Sequence, residues 1–71
     1  MTDSAALRDA VSKAGLKYKF VAEQLKLTPY GLAKKIDNKS DFKASEIAAL
    51  TDILALSESE RTSIFFNKKV I

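Results

Sequence analysis

Residues 17–38 read KYKFVAEQLKLTPYGLAKKIDN. The spacing predicts two short helices joined by a tight turn: a first helix over about 18–25, a turn of Lys26, Leu27 and Thr28, and a second over about 29–36. Val21, Ala22 and Leu25 make the inward face of the first helix. Leu32 and Ile36, four apart, make that of the second, and Leu27 fills the turn. Ala22 is small where a crossing helix must come close. Thr28 suits an N-cap, and Pro29 suits the first helical position, where a missing N–H costs nothing. Helices crossing at about 90–120° through such a turn share one core. The outer face of the second is then free to enter a major groove. Parts of this pattern recur in any compact helical bundle, so the segment has two readings, a DNA-reading unit and a helical scaffold.

On its N-terminal side a helix is expected from residue 3 or 4 to 14, with Asp3 or Ser4 as the cap. Leu7, Ala10, Val11 and Ala14 form its apolar face, and Gly15 follows as the left-handed residue that ends it. On the C-terminal side Phe42 plugs a loop. A fourth helix is expected over about 44–54, with Ile47, Leu50, Ile53 and Leu54 inward. Ser57 with Glu60 three residues on is a capping box, and it opens a fifth helix over about 58–66 that presents Ile64 and Phe65 or Phe66. Residues 67–71 are expected to fray unless Val70 and Ile71 find a partner. Phe65, Phe66, Val70 and Ile71 read as core and tail, with a dimer seam as the rival reading.

With 71 residues the chain has room for one domain. A domain this small buries only about 60% of the surface its unfolded chain exposes. Well-packed helices or an oligomer must therefore stabilise it. The absence of Cys and His excludes a disulfide and leaves a zinc site to carboxylates alone. No apolar run approaches the roughly 18 residues of a membrane span. The N-terminus carries Asp3 and no basic, apolar signal pattern. A soluble intracellular protein is expected. Catalysis is not, because there is no glycine-rich phosphate loop and no paired-carboxylate cleft that so short a chain can enclose. No cofactor or metal is expected.

The net charge of +3 is unevenly spread. Between Lys13 and Lys43 eight basic residues stand against three acidic ones, a local charge of +5, while the remainder carries −2. A basic middle with acidic ends suits an anionic partner such as DNA, although a solvated lysine surface looks the same on charge alone.

The run GLKYKFVAEQLKLTPYGLAKKIDNKSDFKASEIAALTDILALS resembles the phage Cro/repressor-type, Xre-like helix-turn-helix domain. FVAEQLKLTPYGLAKKI and NKSDFKASEIAALTDILALS are its most telling parts, and the likeness extends from about Leu7 to Phe66. The resemblance implies an all-α fold, a compact five-helix, lambda-repressor-like helix-turn-helix domain spanning residues 1–71, with its central unit at about 17–38. It implies a transcriptional regulator of a temperate phage or prophage, in the cytoplasm of a bacterial host, that binds double-stranded operator DNA, commonly as a homodimer. Base reading would fall to Pro29, Tyr30, Gly31, Ala33 and Lys34 on the outer face of the second helix of the unit. Phosphates would fall to Lys17, Lys19, Thr28, Lys35, Lys39 and Ser40. Lys34 has the donors for guanine O6 and N7, and Ala33 suits a thymine methyl.

The chain departs from the family pattern at informative places. Pro29, Gly31 and Ala33 offer no side-chain hydrogen bond to a base edge, where the family usually has polar residues. Lys26 replaces the usual turn glycine, so it must go left-handed or the turn must adjust. Lys17 sits where a Ser or Thr cap is normal. Phe20 occupies a position that is generally polar. Tyr18, Phe20 and Tyr30, with Lys34, then suggest an alternative: a small modulator or antirepressor that uses this surface to bind a cognate phage repressor and block its DNA binding.

Overall fold

Three helices open on a side-chain oxygen that accepts a first-turn N–H. Asp3 accepts from Ala6, Thr28 from Gly31, and Ser57 from Glu60. These caps satisfy amides that have no partner within the helix. Glu60 returns a bond to the Ser57 N–H at 2.8 Å, completing the capping box, and the two Ser57 bonds hold its carboxyl below the ordinary carboxylate range. The computed structural model describes residues 1–66. Over that range the helices are α1 (Ser4–Lys13), α2 (Tyr18–Gln24), α3 (Pro29–Ile36), α4 (Ala44–Ile53) and α5 (Glu58–Phe65). The described residues contain no strand, and none of their helices is long and apolar enough to cross a membrane. The expected fraying of the tail and the pairing of Val70 and Ile71 lie outside the described residues.

The helices end by a shared device. The residue after each C-cap of α1 to α4 takes a positive φ: Gly15 at 71°, Lys26 at 58°, Asn38 at 65° and Ala55 at 52°. Each time, the next residue sends its N–H back to a carbonyl in the last turn. Leu16 bonds Val11, Leu27 bonds Ala22, Lys39 bonds Lys34, and Leu56 bonds Thr51. This is the Schellman closure, which satisfies carbonyls the helix leaves free. Lys26 therefore does adopt the left-handed conformation. Leucine follows the left-handed residue after α1, α2 and α4, and all three leucines pack against the core. After α3 a lysine stands there instead.

The core draws on every helix: Leu7 and Val11, then Val21, Ala22 and Leu25, then Leu32 and Ile36, then Leu50, and finally Ile64 and Phe65. Ala22 has no exposed surface, as its small size under a crossing helix demands. α2 packs on α3, and α1 packs on both α3 and α5. Phe42 meets Phe65 edge-on at 5.5 Å between ring centres, the favoured arrangement for two aromatic rings. Phe65 is thus a core residue and not a dimer seam, while Phe66 is 52% exposed. Two expectations fail. Ala14 is exposed, because it is the C-cap and α1 has already begun to turn away from the core. Ile53 is half-buried like Ile47 and Leu54, but unlike them it does not pack against the core.

Lys26 and Ala55 carry a Cβ in a conformation that costs an L-residue about 1–2 kcal/mol. Ala55→Gly and Lys26→Gly should each raise the stability of the domain by about 1 kcal/mol, against the usual direction for glycine. Urea denaturation checks this, and a midpoint that stays put or falls in both variants contradicts it.

Candidate functional site

The turn and α3 together decide which side chains face outward. Leu32 and Ile36 are buried, which turns Tyr30 and the half-buried Lys34 to the opposite side, while Ala33 is exposed on the flank and Pro29 at the helix start. Tyr30 is 74% exposed, more than any other large apolar side chain among the described residues. The Lys34 ammonium lies 5.5 Å from the centre of the Tyr30 ring. A shallow cleft of about 150 Å³ runs beside this face, lined by Arg8, Tyr18, Pro29, Leu32, Ala33 and Ile36. Tyr18 and Phe20 are 41% and 43% exposed. Tyr18 shares the lining of that cleft with Pro29 and Ala33, whereas Phe20 does not, and no ring contact joins Tyr18, Phe20 and Tyr30 among the described residues.

The residues expected to read bases are therefore mostly together, with one exception. Gly31 is half-buried, and its N–H donates to the Thr28 hydroxyl at 3.0 Å. A Cβ at Gly31 would sit 3.2 Å from that same oxygen. Glycine here lets the cap close, and the residue offers nothing outward. Thr28 is exposed, and its hydroxyl accepts from Gly31 while its own proton stays available to a ligand.

The residues expected at phosphates divide. Lys17, Lys19, Lys39 and Ser40 are exposed. Lys17 is the N-cap of α2 and makes no side-chain bond to the helix. Lys39 stands in the Schellman closure after α3, where the other helices seat a leucine. Its ammonium is held to no carboxylate of the described residues. Lys35 is the correction. Its ammonium contacts Glu46 at 2.6 Å, and the two side chains are only 12% and 9% exposed. The same Glu46 oxygen accepts the Lys43 N–H at 2.8 Å and so opens α4. Lys35 ties α3 to α4 and does not belong to the outward lysines.

A further set of contacts holds the C-terminal end of α3, and sequence reasoning missed it. The Asn38 side chain pairs with the Thr2 backbone in both directions, at 2.8 and 2.9 Å. The Ser4 hydroxyl donates to the Ile36 carbonyl. Arg8 meets Asp37 at 2.6 Å. Finally the Asp3 N–H donates to the Ile64 carbonyl at 2.7 Å, joining this cluster to α5. The partners at α3 lie 29 to 36 residues apart and Asp3 and Ile64 farther still, and no local pattern in the sequence marks them. Their combined effect is to fix the orientation of α3.

Comparison with protein-family models, with curated proteins and with solved structures gives no match. The likeness to Cro/repressor domains thus rests on the motif and its spacing.

Burial raises the pKa of the Glu46 carboxyl, but the hydrogen bonds from Lys35 and the Lys43 N–H, with the charges of both lysines, lower it further. The net result is a carboxyl below its ordinary 4.5. Its contribution to stability is therefore whole above pH 4.5 and lost as pH falls through the lower folded value. Melting temperatures between pH 2 and 7 should show Glu46→Gln with a flatter acid limb than the wild type. Lys35→Ala should cost about 2–3 kcal/mol by stranding a nearly buried carboxylate. A neutral effect of Lys35→Ala on stability would contradict this assignment.

Proposed function

We propose that this protein is a small sequence-specific regulator of transcription, of the phage or prophage type, that docks α3 in the major groove of double-stranded operator DNA in the bacterial cytoplasm. The observation that carries this reading is the α2–turn–α3 unit. Its inner side is committed to the core, while Pro29, Tyr30 and Ala33 are exposed at its start, outer side and flank. An isolated helix face of this kind fits the groove in size, and the basic charge of the segment suits its rims. In this arrangement Lys17, Lys19 and Lys39, with Ser40 and the Thr28 hydroxyl, hold phosphates and set the register. Lys34 donates to a guanine edge and Ala33 meets a thymine methyl. A homodimer would read two half-sites related by its own symmetry.

A second reading is favoured by one observation, the exposure of three aromatic side chains on α2 and α3, Tyr18, Phe20 and Tyr30, the last in contact with Lys34. Exposed aromatic groups suit a protein partner, and here that partner would be a cognate repressor, blocked by heterocomplex formation. Phe20 separates the readings, since it has no role assigned at DNA.

Titration of labelled promoter DNA over a salt series tests the first reading. Binding should weaken steeply with salt, because each neutralised phosphate releases about one counterion. Lys39→Ala should weaken all sequences alike and reduce the salt slope by about one. Lys34→Ala should cost about 1 kcal/mol of discrimination at one base pair. No binding to its own promoter region at low salt, together with a tight complex with the neighbouring repressor that Phe20→Ala abolishes, would decide for the second reading.

A further inference from the structure

We infer that Tyr30 is the positioning residue for Lys34: its ring holds the lysine ammonium over the N-terminal half of α3, ready for a base edge. The inference rests on the DNA-binding reading and names one device within it. Tyr30 and Lys34 are four residues apart, so their side chains are neighbours on one helix face. Side chains on a helix lean toward its N-terminus. Lys34 accordingly reaches back over Tyr30, and its Nζ lies 5.5 Å from the ring centre, within the range of a cation–π contact. Tyr30 is 74% exposed, so its ring adds little to the core of this protein.

The chemistry of this contact differs from that of the other lysine on the same turn. Lys35 is held by a carboxylate, which answers its charge and takes one of its donors. No carboxylate of the described residues pairs with Lys34. A ring face attracts the ammonium through its quadrupole and accepts no conventional hydrogen bond. Lys34 thus has no carboxylate competing for its donors and can aim them at a guanine O6 and N7. A free lysine has a long flexible stem whose freedom is lost on binding. The ring removes part of that freedom beforehand, and pre-organised contacts bind with less cost. The other exposed residues expected to read bases on α3, Pro29 and Ala33, donate nothing from their side chains, so the aim of this one donor weighs heavily in any base preference.

The test begins by selecting the preferred duplex from a random pool with the wild-type protein. Affinities of wild type, Lys34→Ala, Tyr30→Ala and Tyr30→Phe are then measured for that duplex and for each G·C to A·T variant of it. The expected result has three parts. Lys34→Ala abolishes the preference at one base pair. Tyr30→Ala weakens the preference at that same pair by about two- to fivefold, the size of an exposed cation–π contact, with an unchanged salt slope and unchanged binding to unrelated DNA. Tyr30→Phe, which keeps the ring and loses only the hydroxyl, behaves as wild type. Tyr30→Ala substitutes a strong helix former at an exposed site, so the fold is expected to survive, and thermal melting verifies it.

Full retention of the preference in Tyr30→Ala would overturn the inference and leave the DNA-binding reading intact. So would a uniform loss on all sequences, which would make Tyr30 a backbone contact. Failure of Tyr30→Phe alongside Tyr30→Ala would point to the hydroxyl and would also overturn it. A wild-type protein that selects no duplex at all would remove both the inference and the reading beneath it.

Discussion

The chain passes from α2 into α3 on a single left-handed residue, Lys26, with φ of 58°. The Leu27 N–H closes that step on the Ala22 carbonyl at 2.8 Å, while the Ala22 side chain is fully buried beneath it. One residue therefore serves both as the acceptor that ends α2 and as the small surface on which the core closes. A larger side chain at Ala22 would push the crossing helix away and move the whole outer face of α3. The position of Tyr30, Ala33 and Lys34 relative to the rest of the molecule depends on this turn.

The opposite end of α3 is held by polar contacts. Asn38 supplies the left-handed residue and also pairs with the Thr2 backbone. Ser4 takes the Ile36 carbonyl, and Arg8 takes Asp37. The Arg8 pair is well exposed and adds little by itself. The Asn38 and Ser4 bonds are partly shielded and fix direction as well as distance. α3 is consequently anchored by apolar burial along its inner side, by a capped turn at one end and by hydrogen bonds from the N-terminal segment at the other. A helix fixed on three sides can present its fourth as a rigid surface, and rigidity is what the proposed docking requires.

Within that frame the lysines of the basic segment acquire different roles. Lys35 is nearly buried against Glu46, and its charge serves the α3–α4 contact. Lys34, one residue earlier, is rotated onto the outer side and rests on the Tyr30 ring. Lys39 follows Asn38 in a closure that the other helices complete with leucine, and it stays exposed. A local charge of +5 thus overstates the charge offered to a partner, because part of it is answered inside the fold.

Element type and order were legible in the sequence, because caps, the proline at the start of α3 and the 3.6-residue apolar period are local signals. α3 runs from Pro29 to Ile36 as the spacing required, and the Ser57–Glu60 box opens α5. The inward residues of α2 and α3 were legible for the same reason. Of the four left-handed residues among those described, Gly15 announced itself directly, Asn38 is the next most favoured type there, Lys26 was suspect only beside a family pattern, and Ala55 looks ordinary in the sequence. What the sequence could not decide was the destination of polar side chains whose partners lie far along the chain. Lys34 and Lys35 are identical and adjacent; the spacing of four makes Lys34 a neighbour of Tyr30 within the helix, but no local rule assigns Lys35 to a carboxylate eleven residues on. Nor does any local rule link Thr2 to Asn38. Helical periodicity follows from geometry within one turn, whereas an ion pair or a side-chain bond exists only once two separate helices have been brought together. The tertiary structure made that choice, and with it decided which lysines remain on the outer face of α3.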